Sequence, residues 1–119
     1  MLPFVEHLSR ADMQDLAAYY AAQSPTAPTG TADPENARLA QQLMQKHHCN
    51  SCHTPTLEGQ KHIPRLAGQH YQYLVTQLQA FKAQARTDMD GSMTIAAQPL
   101  SEIDIEALAD YMAHWQPTP

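Results

Sequence analysis

The amino-acid sequence predicts an all-α protein. Apolar residues recur at helical spacing in four segments, which begin near residues 9, 34, 69 and 101, and no stretch of useful length alternates apolar and polar residues as a half-buried strand would. Three of the four segments begin directly after a Ser or an Asp, which are common helix N-caps. The chain has 119 residues, which is about the size of one small domain.

The first predicted helix covers residues 9 to about 23. Ser9 is its expected N-cap, and Asp12, three residues later, completes a capping box. Its apolar stripe consists of Met13, Leu16, Ala17 and Tyr20. Residues 24–34, "SPTAPTGTADP", have no periodicity and are rich in Pro, Thr and Ala, so we expect a linker.

Three further helices are predicted after the linker. Asp33 caps the first, with Pro34 at its first position, the second covers residues 69 to about 85, and Ser101 caps the last. A loop is predicted for residues 86–100. The residues expected on the apolar faces of the three helices are, in chain order, Leu39, Leu43, Met44, Tyr71, Leu74, Val75, Leu78, Phe81, Ile105, Leu108, Met112 and Trp115.

The two Ser-capped segments resemble each other. At an offset of 92 residues, "MLPFVEHLSRADMQDLAAYYAAQ" and "MTIAAQPLSEIDIEALADYMAHW" share eight of 23 residues, including the Ser and Asp of the capping box and a methionine eight positions before each cap. Similar composition of two Ala-rich helices is one explanation, but it does not account for the shared methionine. We therefore predict an internal repeat that pairs Met1 with Met93.

The charge balance disfavours some classes of function. Seven Lys and Arg against twelve Asp and Glu give a formal net charge of −5, so binding to nucleic acid has no electrostatic basis and an anionic membrane would repel the surface. No apolar run reaches the ~18 residues of a transmembrane helix. The N-terminal segment has Glu6, Asp12 and Asp15 where a signal peptide would have a basic start and an apolar run.

The stretch "KHHCNSCHTP", residues 46–55, contains the only two cysteines, Cys49 and Cys52. One closely spaced pair closes too small a loop to stabilise a fold as a disulfide, so we expect the thiols to do chemistry. A structural zinc site would need a second pair of ligands, whereas most of the other histidines are scattered singly. A thioredoxin-type dithiol would follow a strand, and no strand is predicted before Cys49.

The third interpretation of the pair is haem attachment. Residues 49–53 have the Cys-x-x-Cys-His pattern of c-type haem proteins. On a helical turn both sulfurs lie on one side and can form thioethers to the two vinyl groups at one porphyrin edge, while His53 offers its imidazole to the iron. Methionine sulfur is a usual second axial ligand in electron-transfer cytochromes.

Four methionines are candidates for that second ligand. Met44 and Met112 lie on apolar helix faces, where core packing is the simpler role. Met89 and Met93 lie in the loop predicted before the last helix. The repeat gives Met93 a counterpart at the same distance from the next cap and gives Met89 none, so the sequence favours Met93.

The motifs "CNSCH", "IPRLAGQHYQYLVTQLQAFKAQAR" and "MTIAAQPLSEIDIEALADYMAHW" together resemble a class I cytochrome c, and specifically one haem domain of the dihaem cytochrome c4 family, over residues 35–116. The resemblance implies three to four helices around a covalently bound haem, with an extra N-terminal helix here. The residues that it places at the haem are Cys49 and Cys52 as thioether anchors, His53 and Met93 as axial ligands, Pro64 in the loop beside His53, and Tyr73, Gln77 and Arg86 near the ring or its propionates. Solvation of Arg86 and simple packing of Tyr73 are the alternatives for those two side chains.

The resemblance also implies a function, which is electron transfer by one haem c per chain in a periplasmic respiratory chain. Its partners would be redox proteins, namely a donor and a terminal oxidase or reductase. With both axial positions filled, no substrate position remains at the iron, which disfavours an enzyme that would act on peroxide or a small sulfur compound. The alternative is a haem-bearing domain or subunit that relays electrons from a dehydrogenase or another catalytic partner.

A dihaem relative would have another Cys-x-x-Cys-His domain before this one. Residues 1–23 resemble the terminal helix of such a domain, with Met1 where its distal methionine belongs, residues 24–34 are the linker, and residues 35–119 are the haem domain. We therefore expect a fragment of a longer protein or an internal start, with a signal peptide further upstream. We also expect the apolar stripe of the first helix to support a homodimer.

Overall fold

The computed structural model describes residues 2–116, and Met1, predicted as the counterpart of Met93, lies outside the described residues. The helices are α1 (Leu2–Val5), α2 (Arg10–Ala21), α3 (Pro34–Lys46), α4 (Cys49–His53), α5 (Tyr71–Lys82), α6 (Ser92–Ala97) and α7 (Glu102–Ala113). No strand occurs among residues 2–116, where an isolated bridge joins Gln60 to Ile63. The prediction of an all-α fold is confirmed. None of the described helices is long and apolar enough to cross a membrane.

The structure differs from the sequence prediction at one loop. Helix α6 lies within residues 86–100, which were predicted to be irregular. With six residues it is too short to show a helical period, and it begins after Gly91, which has a φ of 74° and no side chain to act as a cap. Helix α5 is also shorter than predicted, because it covers Tyr71–Lys82 instead of residues 69–85.

The core lies where α7 packs against α3 and α5, and α6 packs on α5. Helices α3, α5 and α7 contribute the apolar faces that their periodicity predicts, except that Tyr71, at the start of α5, is 40% exposed. Met44 and Met112 are both 4% exposed, so their predicted role in core packing is confirmed. Leu57, from the loop between α4 and α5, is fully buried in the same cluster. Helices α4 and α6, which carry the predicted ligands His53 and Met93, therefore border a core built from α3, α5 and α7.

The predicted repeat extends to the backbone. Helix α7 covers residues 102–113 and α2 covers residues 10–21, so both ends are displaced by the same 92 residues. The amides of Asp12 and Asp104 lie 3.1 and 3.2 Å from the hydroxyls of Ser9 and Ser101, and each carboxylate accepts from the serine amide at 2.8 Å. These hydrogen bonds from the serines lower the pKa of both Asp carboxyls.

The two repeats differ in burial. Helix α7 buries Ile105, Leu108 and Met112, but α2 buries none of its residues. The corresponding Leu16 is 43% exposed and Tyr20 is 69% exposed. The radius of gyration is 15.8 Å, larger than the ~13.5 Å typical of a compact domain of this length. Helix α2 therefore stands apart from the core.

The segment predicted to be a linker is irregular and follows the surface of the domain. The carbonyl of Pro28 accepts from the Gln116 side chain at 3.3 Å, and the amide of Asp33 donates to Asp110 at 3.0 Å. A cavity of about 470 Å³ lies between this segment and the end of α7, with Gly30 and His114 among its lining residues. The linker is thus in contact with the domain that follows it.

Candidate functional site

The Cys-x-x-Cys-His motif forms its own short helix, α4, directly after α3. His48, with a φ of 56°, turns the chain between the two helices. At 3.6 residues per turn, Cys49 and Cys52 project from the same side of α4. Both thiols are free, with Cys49 half-buried against the core and Cys52 exposed. Burial raises the pKa of the Cys49 thiol.

His53 is the one buried polar side chain among residues 2–116, at 4% exposure. Its Nδ1 lies 2.9 Å from the carbonyl oxygen of Pro64. Because a carbonyl can only accept, Nδ1 holds the proton and donates, and Nε2 keeps a lone pair. Burial lowers the pKa of His53 and so favours the neutral imidazole that metals bind, whereas the hydrogen bond to Pro64 opposes this shift.

The loop between α4 and α5 places the Pro64 carbonyl beside His53. The carbonyl of Leu57 accepts the amides of Leu66 and Ala67 at 2.8 and 3.0 Å, and the amide of Gly59 donates to the His53 carbonyl at 3.0 Å. These bonds close the loop on α4. They also give the predicted neighbour Pro64 a concrete contact, which is a hydrogen bond to the imidazole.

Gly59 is a residue of this loop that the sequence analysis did not assign to the site. Its φ is 76°, and a Cβ there would meet the carbonyl oxygen of Ile63 first and would lie 2.6 and 2.7 Å from the carbonyl carbon and oxygen of Pro64. Only glycine permits both the conformation and the approach. The signal in the sequence was a glycine between His53 and Pro64, in a stretch without periodicity.

The two methionines of the predicted loop have different surroundings. Met93 is half-buried in the first turn of α6, whereas Met89 is 88% exposed. The amide of Met93 donates to the carboxylate of Asp88 at 2.9 Å, and this bond lowers the pKa of Asp88. Asp88 was not selected from the sequence, because an acidic residue in a polar loop has no distinguishing pattern.

The remaining predicted residues lie on or near α5. Tyr73 is 48% exposed on that helix. Arg86 donates to the side-chain oxygen of Gln77, and its guanidinium carbon lies 4.8 Å from the centroid of the Phe81 ring. Arg86 is exposed, and these contacts hold it against α5.

The donor set fits a c-type haem better than the two alternatives. Among the described residues, no three His, Cys, Asp or Glu side chains are grouped as a bound metal ion would require, which disfavours structural zinc. Cys49 follows helix α3 and not a strand, which disfavours a thioredoxin-type dithiol.

Comparison with known proteins agrees with the interpretation of these residues as a c-type haem site. The family model described as cytochrome c matches residues 37–116. Cytochrome c4 of Azotobacter vinelandii is 37% identical over 124 residues, covering 94% of this chain and 58% of that protein. The crystal structure of reduced recombinant cytochrome c4 from Pseudomonas stutzeri superimposes with a TM-score of 0.82 at 31% identity, over 95% of this chain and 64% of that one.

A thiosulfate dehydrogenase structure from Marichromatium purpuratum is also similar. It superimposes with a TM-score of 0.70 at 32% identity, and the match covers 93% of this chain but 26% of that one. This chain thus spans a little over half the length of the cytochrome c4 of Azotobacter vinelandii and about a quarter of the dehydrogenase chain.

Proposed function

The chain belongs to the cytochrome c family, and we propose that it transfers electrons through one covalent haem c, with His53 and Met93 as axial ligands. The observation that carries this proposal is the buried His53 imidazole, which directly follows the two free thiols and keeps Nε2 for a metal because Nδ1 donates to Pro64. Bound haem c supplies an iron that gains and loses a single electron.

The side chains have distinct parts in this proposal. Cys49 and Cys52 would hold the porphyrin edge through thioether bonds. Pro64 fixes the tautomer and the ring orientation of His53, as carbonyl partners of metal-bound histidines do. Met93 provides a soft sulfur that favours ferrous iron and raises the reduction potential. Tyr73, on α5, and Arg86, just after it, would contact the ring or its propionates.

Covalent attachment is the most direct test. Matured with the haem-attachment machinery in an oxidising compartment, the chain is expected to keep its haem stain on a denaturing gel after acid–acetone extraction. Cys49→Ser with Cys52→Ser is the matched control and is expected to lose the stain. Loss of colour from the native chain would show that the thioethers do not form.

We place the protein in the periplasm, the location that the resemblance to the cytochrome c4 family implies. Its partners in this proposal are an electron donor and a terminal oxidase or reductase. With both His53 and Met93 bound to the iron, no position there would remain for a substrate, so the role that we propose is electron transfer and not catalysis.

A relay domain of a larger dehydrogenase is the second candidate, favoured by the similarity to the thiosulfate dehydrogenase structure. The two candidates differ in what reduces the haem. A free shuttle is reduced by more than one donor protein, whereas a relay subunit is reduced rapidly only by its dehydrogenase. In both cases thiosulfate alone should not reduce the ferric chain, and rapid reduction by thiosulfate would contradict both.

The domain arrangement follows from the repeat. We propose that residues 1–23 complete a second domain of the same fold, that residues 24–34 link the two, and that residues 35–119 are the haem domain. The common 92-residue offset of α2 and α7 and the exposure of the α2 stripe support this. In the chain by itself, the stripe of α2 is then available to a second copy, which gives a homodimer.

A further inference from the structure

Met93 lies at the start of a helix that lacks an ordinary cap. The N-cap position of α6 is Gly91, which makes no side-chain hydrogen bond. The first amides of a helix have no partner within it and must find one elsewhere. Those of α6 are satisfied by residues upstream of the cap, since the Ser92 amide donates to Asp90 at 3.0 Å and the next two donate to Asp88.

Both oxygens of the Asp88 carboxylate are used at this point. Oδ2 accepts the amide of Met93 at 2.9 Å, and Oδ1 accepts the amide and the hydroxyl of Thr94 at 3.2 and 3.0 Å. Hydrogen bonds to an ionised acceptor are stronger than those between neutral groups. The carboxylate therefore holds the backbone of Met93 and of the residue after it at the same time.

The other end of α6 is fixed independently. The side-chain amide of Gln98 donates to the carbonyl of Lys82 at 3.0 Å, and the ammonium of Lys82 donates to the carbonyl of Leu100. On the N-terminal side, Arg86 is bonded to Gln77 on α5, two residues before Asp88. Asp88 thus connects a chain segment anchored on α5 to the backbone of Met93.

We propose that Asp88 is a positioning residue that holds Met93 in place as the axial ligand of the haem iron. This proposal rests on the proposed function, because it takes Met93 as the ligand. Without the carboxylate, the first turn of α6 loses three hydrogen bonds around Met93, while the anchors at Gln98 and Lys82 remain. The methionine sulfur then leaves the iron more often, although the rest of the fold is kept.

Competition with a small ligand measures that departure. In the ferric haem-loaded protein, added imidazole can bind the iron only where Met93 has left, so its dissociation constant reports how firmly the methionine is held. Asp88→Ala is expected to lower this constant by about tenfold or more, a change of ~1.4 kcal/mol, which is comparable to a lost hydrogen bond to a charged group. Asp88→Asn keeps one acceptor oxygen and is expected to fall between Asp88→Ala and the native chain.

The control is Asp90→Asn, which removes the same charge two residues away. Asp90 accepts a hydrogen bond from the amide of Ser92 and not from that of Met93. It is expected to change the imidazole dissociation constant by less than about twofold, well under the energy of one hydrogen bond. The weak far-red sulfur-to-iron band of the ferric protein should weaken in Asp88→Ala and stay unchanged in Asp90→Asn.

Native affinity for imidazole in both Asp88 variants, with an unchanged far-red band, would overturn the positioning role. If Asp88→Ala does not accumulate with haem, Asp88→Asn decides alone by the same measure. Met93→Ala separates this result from the proposed function. A far-red band that persists in Met93→Ala would show that another residue is the ligand, whereas its loss together with native behaviour of the Asp88 variants would disprove only the role of Asp88.

Discussion

At the scale of single residues, the site depends on contacts that hold the ligands rather than on the ligands alone. His53 is fixed by a carbonyl eleven positions later, and that carbonyl can approach because Gly59 has no side chain. The backbone of Met93 is held by the carboxylate of Asp88. Each proposed axial ligand therefore has one neighbour on which its orientation depends.

Replacing Gly59 by Ala should both destabilise the protein and disturb His53. The left-handed backbone and the close approach to the carbonyl groups of Ile63 and Pro64 together should cost about 3 kcal/mol or more in the free energy of unfolding. Gly91→Ala is the control, because it has a similar φ of 74° with nothing within 4 Å of the added carbon, and it should cost only about 1–2 kcal/mol. Denaturant unfolding measures both, and equal losses would show that the contact with Pro64 is not limiting.

Met93→Ala should abolish the far-red band of the ferric protein, because it removes the sulfur. It should also lower the reduction potential by on the order of 0.1 V or more, within the ~0.8 V range that axial ligands set. Met89→Ala is expected to change neither property, because that side chain is 88% exposed. Spectroscopy and a potentiometric titration make both measurements. The opposite pattern would assign the ligand to Met89 and remove the argument from the repeat.

At the scale of helices, the same capping box serves two helices with different surroundings. Ser101 begins α7, which packs on α3 and α5, whereas Ser9 begins α2, which buries no residue. A cap contributes to global stability only if its helix unfolds together with the core. The two serines therefore form a natural pair for comparison.

Ser101→Ala is expected to lower the free energy of unfolding by about 1 kcal/mol, because it removes the acceptor of the Asp104 amide. Ser9→Ala should change the global value by less than about 0.5 kcal/mol and should speed amide hydrogen exchange only within α2. Denaturant unfolding followed by haem absorbance, with hydrogen exchange for α2, tests both. Equal losses of global stability would show that α2 unfolds as part of the core.

Helices with a cap and a long apolar period were predictable from the sequence, as α3 and α7 show, because both signals are local. Helix α6 was not, since six residues after a glycine show no period. The attachment site at Cys49 and Cys52 was predictable for the same reason, because the Cys-x-x-Cys-His spacing is also a local signal. The contact between His53 and Pro64 depends instead on how a whole loop closes, and Gly59 and Asp88 acquire their roles only in that closed structure.

At the scale of the whole molecule, α2 presents an apolar face for which residues 2–116 offer no partner surface. Its Leu16 corresponds to Leu108 of α7, which is 2% exposed against α3 and α5. Within one chain, that surface of α3 and α5 is already covered by α7. Burying side chains of this size is worth roughly 1.5–3 kcal/mol each, so a complex in which another molecule covers the stripe is stabilised.

We therefore expect the isolated chain to self-associate through α2. Leu16→Glu places a charge in the stripe and should raise the dissociation constant of the dimer by at least tenfold, about 1.4 kcal/mol, which is less than the value of one buried leucine. Gln14→Glu adds the same charge at the position equivalent to Glu106, which is exposed on α7, and should leave association unchanged. Sedimentation equilibrium compares the three proteins. If the native chain is a monomer at every concentration, a second copy is not the partner of α2. The partner that the repeat then predicts for the α2 stripe is a second domain of the same fold.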